Sequence, residues 1–80
     1  MSDVSIDRDT VILVLKAGGV SVSVDGECCT LAKDATIETI ILPPRVERRM
    51  LFRFQYKYGV PIHWFFHPEM IPGAGTGTIH

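Results

Sequence analysis

The fold of this 80-residue chain depends on how the sequence LFRFQYKY at residues 51–58 is interpreted. Aromatic and polar side chains alternate along it, and such alternation predicts a half-buried β-strand. The sequence IHWFF at residues 62–66 follows after GVP at residues 59–61, which has the length of a three-residue hairpin loop. Pairing across that loop places aromatic side chains opposite each other, so we expect a β-hairpin here. Its inner face would supply the aromatic residues of the core: Phe52, Phe54, Tyr56, Trp64 and Phe66.

A helix is the alternative for the same region. Pro44 would occupy the first helical turn and Gly59 would end the helix, with a proline two residues later. In that helix, however, Phe52 and Tyr56 would face away from the other aromatic residues of the segment, and no single apolar stripe would form. The strand is therefore the favoured interpretation, and a helix over residues 44–58 is the alternative.

The first half of the chain also predicts strands. Its signals are the apolar VILVL at residues 11–15, the alternating VSVSV at 20–24, an Asp-Gly hairpin signal at 25–26 and the β-branched TIETIIL at 36–42. The Asp-Gly pair predicts that the chain returns along residues 27–31 as the second strand of a hairpin.

These segments together predict a single all-β domain over residues 1–71, folded as a small antiparallel barrel or sandwich of five to six strands. The alternative fold class is α+β, with residues 44–58 helical and packed on the N-terminal sheet. Hydrophobic residues make up 46% of the chain, and the mean hydropathy is +0.21, which is more apolar material than so small a core readily buries. The glycine-rich segment at residues 72–80 is expected to be a flexible tail.

The strand register assigns Ile12 and Val14 to a second apolar face. Successive side chains of a strand point to opposite faces, so these two residues would point away from the face that carries their neighbours. Strands that are apolar on both faces are normally covered on both. A segment of this chain or another molecule should cover Ile12 and Val14, and we expect this face to support homodimerisation.

Charge and cysteine usage limit the classes of function. The formal net charge is −1, the N-terminus is acidic, and the longest aliphatic run is far shorter than a membrane span. The two cysteines are adjacent and too few for a secreted disulfide scaffold. We therefore expect a cytoplasmic chain without membrane association.

Candidate catalytic and metal-ligating groups do not converge in the sequence. His63 and His67 have a zinc-motif spacing for a helix, but on a strand residues four apart are separated by roughly 13 Å. The adjacent Cys28 and Cys29 would point to opposite faces of a strand. No nucleophile motif or phosphate-binding loop is present. We expect no enzyme activity, no catalytic residue, no metal ion and no cofactor.

Basic and aromatic residues in the second half carry the functional signal. All seven aromatic residues lie between residues 52 and 66, and residues 43–80 contain five basic and two acidic side chains. The outer face of the expected hairpin displays a partner-binding patch: Arg53, Lys57, His63, Phe65 and His67. Three arginines form a further basic patch: Arg45, Arg48 and Arg49. Aromatic and arginine anchors supply most of the energy of many interfaces, so this surface suits an acidic protein partner.

The leading functional hypothesis is a non-enzymatic protein-interaction module, either an adaptor or a small inhibitor. Its size is that of bacteriophage- and plasmid-encoded inhibitors such as anti-defence proteins, which is an analogy of size and not of sequence. The alternative is a nucleic-acid-binding small β-barrel that uses the basic segment 45–57. This alternative is less favoured because the expected strand places its cations and its aromatic residues on opposite faces.

Overall fold

The computed structural model of the protein describes residues 4–72, which form two antiparallel sheets and three α-helices. The elements in chain order are β1 (Ser5–Asp7), α1 (Arg8–Ala17), β2 (Ser21–Asp25), β3 (Cys28–Lys33), β4 (Thr36–Ile41), β5 (Arg45–Glu47), α2 (Arg48–Tyr58), α3 (Ile62–Phe66) and a 3₁₀ turn (Pro68–Met70). Strands β2, β3 and β4 form a three-stranded meander, and the short β1 and β5 pair with each other. Neither sheet closes into a barrel within the described residues. The fold class is α+β, so the all-β expectation is wrong and the alternative class is confirmed.

The hairpin expected at the Asp-Gly signal is present, with its turn one residue later. Asp25 pairs with Cys28, so the turn residues are Gly26 and Glu27. Gly26 has a φ of 65°, which glycine adopts without steric cost. Moving the turn by one residue shifts every pair of facing residues by two. Since side chains alternate between the two faces of a sheet, each one still lies on its expected face. The fourth strand expected at residues 36–42 is also confirmed, as β4.

The sequence VILVL lies in the helix α1 and not in the expected strand. Asp7 caps this helix, since its carboxylate accepts the N–H of Thr10 at 3.1 Å and the Thr10 hydroxyl at 2.8 Å. These hydrogen bonds lower the pKa of the Asp7 carboxyl below its usual value of 3.8. The buried residues of α1 have helical spacing: Val11, Val14 and Leu15. The cap and this spacing outweigh the preference of branched residues for strands.

The helix also corrects the assignment of Ile12 and Val14. Val14 is fully buried in the core, and Ile12 packs half-buried against it. Leu13, which the strand register places inward, is 54% exposed. The second apolar face expected for Ile12 and Val14 is therefore absent, because α1 directs Val14 into the core of its own chain.

Helix α1 ends at a close approach to the segment between α2 and α3. A Cβ atom at Gly18 would lie 2.6 Å from Cγ2 of Val60, a side chain that is 1% exposed. The φ of Gly18 is −84°, which other residues adopt readily. Packing, and not backbone conformation, is therefore what requires glycine at this position.

Helix α2 matches the alternative interpretation in kind but begins later. It starts at Arg48 and not near Pro44, because the intervening residues form β5 and pair with β1. Gly59 ends it with a left-handed φ of 73°, and its N–H donates to the C=O of Gln55. The buried residues of α2 form one stripe: Leu51, Phe54 and Tyr58.

The aromatic core differs from the expected one because residues 62–66 form α3 and not a strand. The ring centroid of Phe54 lies 6.4 Å from the rings of both Tyr58 and Phe65. Phe65, expected at the centre of an exposed patch, is 1% exposed. Tyr56, expected in the core, is 93% exposed. The expected hairpin and its face assignment are therefore wrong.

The buried residues of the described segment form one hydrophobic cluster, to which all three helices contribute. None of the helices within residues 4–72 is both long enough and apolar enough to cross a membrane. The tail expected at residues 72–80 lies outside the described residues, apart from Pro72.

Two phenylalanines test this assignment of faces. Phe65→Ala should lower the free energy of unfolding by about 3–5 kcal/mol, because it empties a buried ring site. Phe52→Ala, at a half-exposed site, should lower it by less than about 1 kcal/mol. Urea unfolding followed by circular dichroism measures both changes. If Phe52→Ala lowered the free energy of unfolding more than Phe65→Ala does, the result would support the strand interpretation and contradict the helices.

Candidate functional site

Helix α2 carries the candidate site, and contacts with other segments fix both of its ends. The N–H of Arg48 donates to the C=O of Val4 at 3.1 Å, so the segment beside β1 holds the first turn. Near the other end, the side-chain oxygen of Gln55 accepts the N–H of Ile62 at 2.8 Å. This bond fixes the turn from α2 into α3. The side of α2 that faces solvent is thus set by the fold.

The solvent-facing side of α2 combines cations with aromatic residues. Residues at positions i, i+4 and i+8 lie along one side of a helix, and two such rows are adjacent here. The first row is Arg48, Phe52 and Tyr56. The second row is Arg49, Arg53 and Lys57. All six residues are exposed, and we call them the α2 face.

The two aromatic residues of the α2 face are exposed to an unusual degree. Tyr56 is 93% exposed and Phe52 is 50% exposed. Aromatic side chains are the largest apolar groups available to a small domain, so they are normally used in its core. Placed among arginines on a surface, they give the composition that is typical of the energetic centre of an interface.

A shallow depression lies at the N-terminal end of the α2 face. Its volume is about 340 Å³, and it is lined by Val4, Glu47, Arg48, Arg49 and Phe52. Glu47 precedes the helix without forming a side-chain cap, and the first turn contains no acidic residue. The contact between Glu47 and Arg49 is 3.8 Å long, and both side chains are exposed, so it contributes little stability. The depression is therefore lined by two basic side chains, one acidic side chain and two apolar ones.

Glu38 of β4 ties the last turn of α2 to the sheet. Its carboxylate accepts the Tyr58 hydroxyl at 2.6 Å and the Lys57 ammonium at 2.9 Å. These two hydrogen bonds, that of Tyr58 first, lower the pKa of Glu38 below its usual value of 4.5. Burial, together with the bond to Glu38, raises the pKa of Tyr58 above its usual value of 10.0. The Lys33 ammonium donates to the C=O of Tyr58 at 2.7 Å and adds a second tie.

Three arginines of the α2 face are available to a partner. Within residues 4–72 the side chains of Arg48 and Arg53 make no hydrogen bond or ion pair, and Arg49 makes only its long contact with Glu47. Lys57 is engaged with Glu38. The α2 face thus presents concentrated positive charge on a chain whose net charge is −1. Such a field steers acidic molecules toward this side of the protein.

The residues expected to form the partner-binding patch are divided among different surroundings. Arg53 and Lys57 are adjacent on the α2 face. Phe65, expected to lie between them and the histidines, is in the core, because α3 turns its side chain toward Phe54. The expectation of an exposed Phe65 is therefore wrong, and no single patch around it can form.

The two histidines of the expected patch lie outside α2. His63 is exposed on α3, with its ring edge-on to Trp64 at a centroid distance of 6.5 Å. His67 is exposed just after α3, where its Nδ1 lies 3.4 Å from the carboxylate of Glu69. Neither histidine belongs to the rows that make up the α2 face.

The expected basic patch is brought together only in part. Arg48 and Arg49 lie on the α2 face. Arg45 lies on β5, where its guanidinium donates to the hydroxyl of Ser5 at 3.2 Å and to the C=O of Ser5 at 2.9 Å. Arg45 therefore strengthens the pairing of β1 with β5.

Groups that could support other chemistry are dispersed. Within the described part of the chain, no three His, Cys, Asp or Glu residues lie close enough to hold a metal ion. Cys28 is an exposed thiol, whereas Cys29 is buried, and burial raises the pKa of its thiol. The structure thus directs attention to the α2 face.

Sequence reasoning missed two residues of this face, Phe52 and Tyr56, which were expected in the core. The signal that identifies them is the i, i+4, i+8 spacing that starts at Arg48, together with Gly59 as the helix end.

No protein-family model, curated protein or solved structure matches the chain.

The tie between α2 and β4 gives a prediction with a matched control. At neutral pH, Tyr58→Phe should lower the free energy of unfolding by about 1–2 kcal/mol, because it removes a largely buried hydrogen bond to a charged group. Tyr56→Phe, at a fully solvated site, should change it by less than about 0.5 kcal/mol.

The same pair of variants predicts a pH dependence. Because the pKa of Glu38 is lower in the folded protein, the ionised carboxylate stabilises the fold above pH 4.5, and this stabilisation is lost as the pH falls through the folded-state pKa. In urea unfolding at a series of pH values, the difference in free energy of unfolding between the two variants should therefore decrease below pH 4.5. A difference that stays constant into strong acid would rule out the Glu38 carboxylate as the partner of Tyr58.

Proposed function

We propose that this chain is a non-enzymatic protein-interaction module that binds an acidic surface of a partner protein through the α2 face. The observation that supports the proposal is the presence of exposed Arg49, Phe52, Arg53 and Tyr56 on one side of a helix whose opposite side is buried in the core. Arginine and tyrosine are enriched among the residues that dominate binding energy. A helix that is fixed at both ends presents them without a large ordering cost.

The charge distribution favours a protein partner over a long polyanion. Residues 43–80 carry five basic and two acidic side chains, whereas residues 1–42 carry three basic and seven acidic ones. The isoelectric point is about 6.2, and domains that bind nucleic acid are commonly much more basic. An acidic patch of protein size can contact the α2 face while avoiding the acidic remainder of the chain.

In role, the module would be an adaptor or a small inhibitor that acts by occlusion in the cytoplasm. Bacteriophage- and plasmid-type inhibitors, including anti-defence proteins, have this scale, and the comparison is one of size alone. Occlusion requires only a stable surface and no catalytic group, which is why a chain with one exposed basic-aromatic helix suffices for it.

Nucleic-acid binding is the second candidate, and one observation favours it. The cations and the aromatic residues of the α2 face lie side by side, so one strand could contact arginines through its phosphates and stack a base on Tyr56. The strand interpretation separates these two groups on opposite faces, and the helix removes that objection.

Charge reversal on the α2 face tests the leading proposal. Arg53→Glu and, separately, Tyr56→Ala should each weaken capture of a partner by at least about tenfold, as expected for anchor residues. Lys16→Glu is the matched control, because it makes the same change in net charge at an exposed position of α1. Affinity chromatography with each variant, followed by mass spectrometry, identifies proteins retained by the wild type and the control but lost by the two α2 variants.

A parallel titration separates the two candidates. Binding of a fluorescent single-stranded oligonucleotide that weakens steeply with salt, and that Arg53→Glu abolishes, would favour nucleic acid. If Lys16→Glu impairs protein capture as much as Arg53→Glu does, net charge and not the α2 face is responsible, and the leading proposal fails.

A further inference from the structure

The strand β4 is an unpaired edge of the three-stranded sheet within the described residues. Thr36 pairs with Lys33 across a two-residue turn, and the N–H of Leu42 donates to the C=O of Glu27 at 2.8 Å. These two pairs fix the alternation of hydrogen bonds, because pairs that exchange bonds recur at every second residue of an antiparallel ladder. The backbone groups of Ile37, Thr39 and Ile41 therefore point away from β3, toward the open edge.

The side chains at these three positions lie together on the outer face of the sheet. Ile37 is 70% exposed and Ile41 is 58% exposed, with the exposed Thr39 between them. Natural edge strands are usually protected by charged side chains, proline or bulges. None of the three outward positions of β4 has such protection, and the inward-pointing charge of this strand, Glu38, is bound within its own chain.

We propose that this edge joins two copies of the chain, which pair antiparallel through β4 around a two-fold axis at Thr39. In this register Ile37 of one copy lies opposite Ile41 of the other, twice, and the two Thr39 residues face each other. Every outward backbone group of the strand then finds a partner, and the exposed isoleucines cover each other. The strand is thus complementary to itself, which is the property that a two-fold interface requires.

The charges near the edge are compatible with this pairing. Glu38, the acid of β4, is bound to the Lys57 ammonium and the Tyr58 hydroxyl of its own chain. A cleft of about 280 Å³ lies between β4 and α2 and is lined by Glu38, Ile40, Ile41, Met50, Arg53 and Phe54. Each cleft is lined by one acidic and one basic side chain, Glu38 and Arg53, so joined clefts bring together side chains of both signs.

The proposed contact is small for an interface between two proteins. A standard interface buries about 800 Å² per partner, which is about 15% of the 5182 Å² accessible surface of this chain. A contact limited to one six-residue strand and the adjoining cleft is smaller, so we expect dissociation in the micromolar range. The two-fold axis is perpendicular to the sheet, so both copies carry their helices on the same side of one continuous sheet.

Two double variants test the register itself. Ile37→Lys/Ile41→Lys places a lysine opposite a lysine at both pairs of positions 37 and 41 across the interface, and this repulsion should abolish the dimer. Ile37→Lys/Ile41→Glu changes the same exposed positions but places a lysine opposite a glutamate at both crossings, so the dimer should persist. Val24→Lys, on the free edge of β2, is a further control that should leave the dimer unchanged.

Sedimentation velocity across micromolar concentrations measures the outcome, with circular dichroism to verify that each variant is folded. A wild-type dimer that the first double variant loses and the second retains supports the proposal. A wild-type monomer at all concentrations, an open-ended assembly, or loss of the dimer in both double variants would overturn it. Arg53 belongs to the α2 face and also lines this cleft. The test is nevertheless separate from that of the α2 proposal, because neither Ile37 nor Ile41 belongs to the α2 face.

Discussion

A three-stranded sheet with one covered face is the constraint on which the rest of this structure depends. Cys29 and Leu31 lie fully buried at the centre of the inner face, and the helices supply one apolar stripe each above them. A helix can direct only part of its circumference toward such a core. Phe52 and Tyr56 occupy the remaining part of α2 and stay in water, although their hydrophobicity alone would place them inside.

Among residues 4–72 the same constraint leaves the outer face of the sheet without cover. Strand β3 carries Thr30 on that face, hydrogen-bonded to Thr39 at 3.1 Å, so the centre of the outer face is polar and satisfied. Only toward the β4 edge does it become apolar, at Ile37 and Ile41. Within residues 4–72 the exposed apolar side chains include Phe52 and Tyr56 on the α2 face and Ile37 and Ile41 at the β4 edge, whereas Val14 is buried. The remaining large ones are Val4, Leu13, Val24 and Met70.

Local signals predicted part of this fold correctly. The hairpin at the Asp-Gly signal and the β-branched strand β4 depend on contacts between neighbouring residues, and both are present, the hairpin with its turn one residue later. Helix α1 is absent from the sequence prediction, and helix α2 appears there only as the alternative to a strand. In VILVL the branched residues favour a strand, and only the Asp7 cap and the spacing of the buried residues indicate a helix. In LFRFQYKY the aromatic and polar residues alternate over only eight residues, which is too short to distinguish a strand from a helix. The buried residues Leu51, Phe54 and Tyr58 have helical spacing.

The candidate site was predictable in its charges but not in its apolar members. Arg48, Arg49 and Arg53 are exposed on either interpretation, because arginine is rarely buried without a partner. Phe65 is buried although it was expected to be exposed, and Tyr56 is exposed although it was expected to be buried. The reason is that side chains alternate between two faces with period 2 in a strand but with period 3.6 around a helix. Phe52 and Tyr56 are assigned to the core on the strand interpretation because large aromatic side chains are usually buried, and the helix leaves them exposed.

The separation of the two sides of α2 has a consequence for how this protein could change over evolutionary time. Leu51, Phe54 and Tyr58 secure the fold, whereas Phe52 and Tyr56 lie on the opposite side of the same helix and contribute little to it. Substitutions at exposed positions usually alter stability by less than about 0.5 kcal/mol. The exposed side can therefore change without loss of the fold, so that under the proposed function binding and stability are set by different residues of one helix.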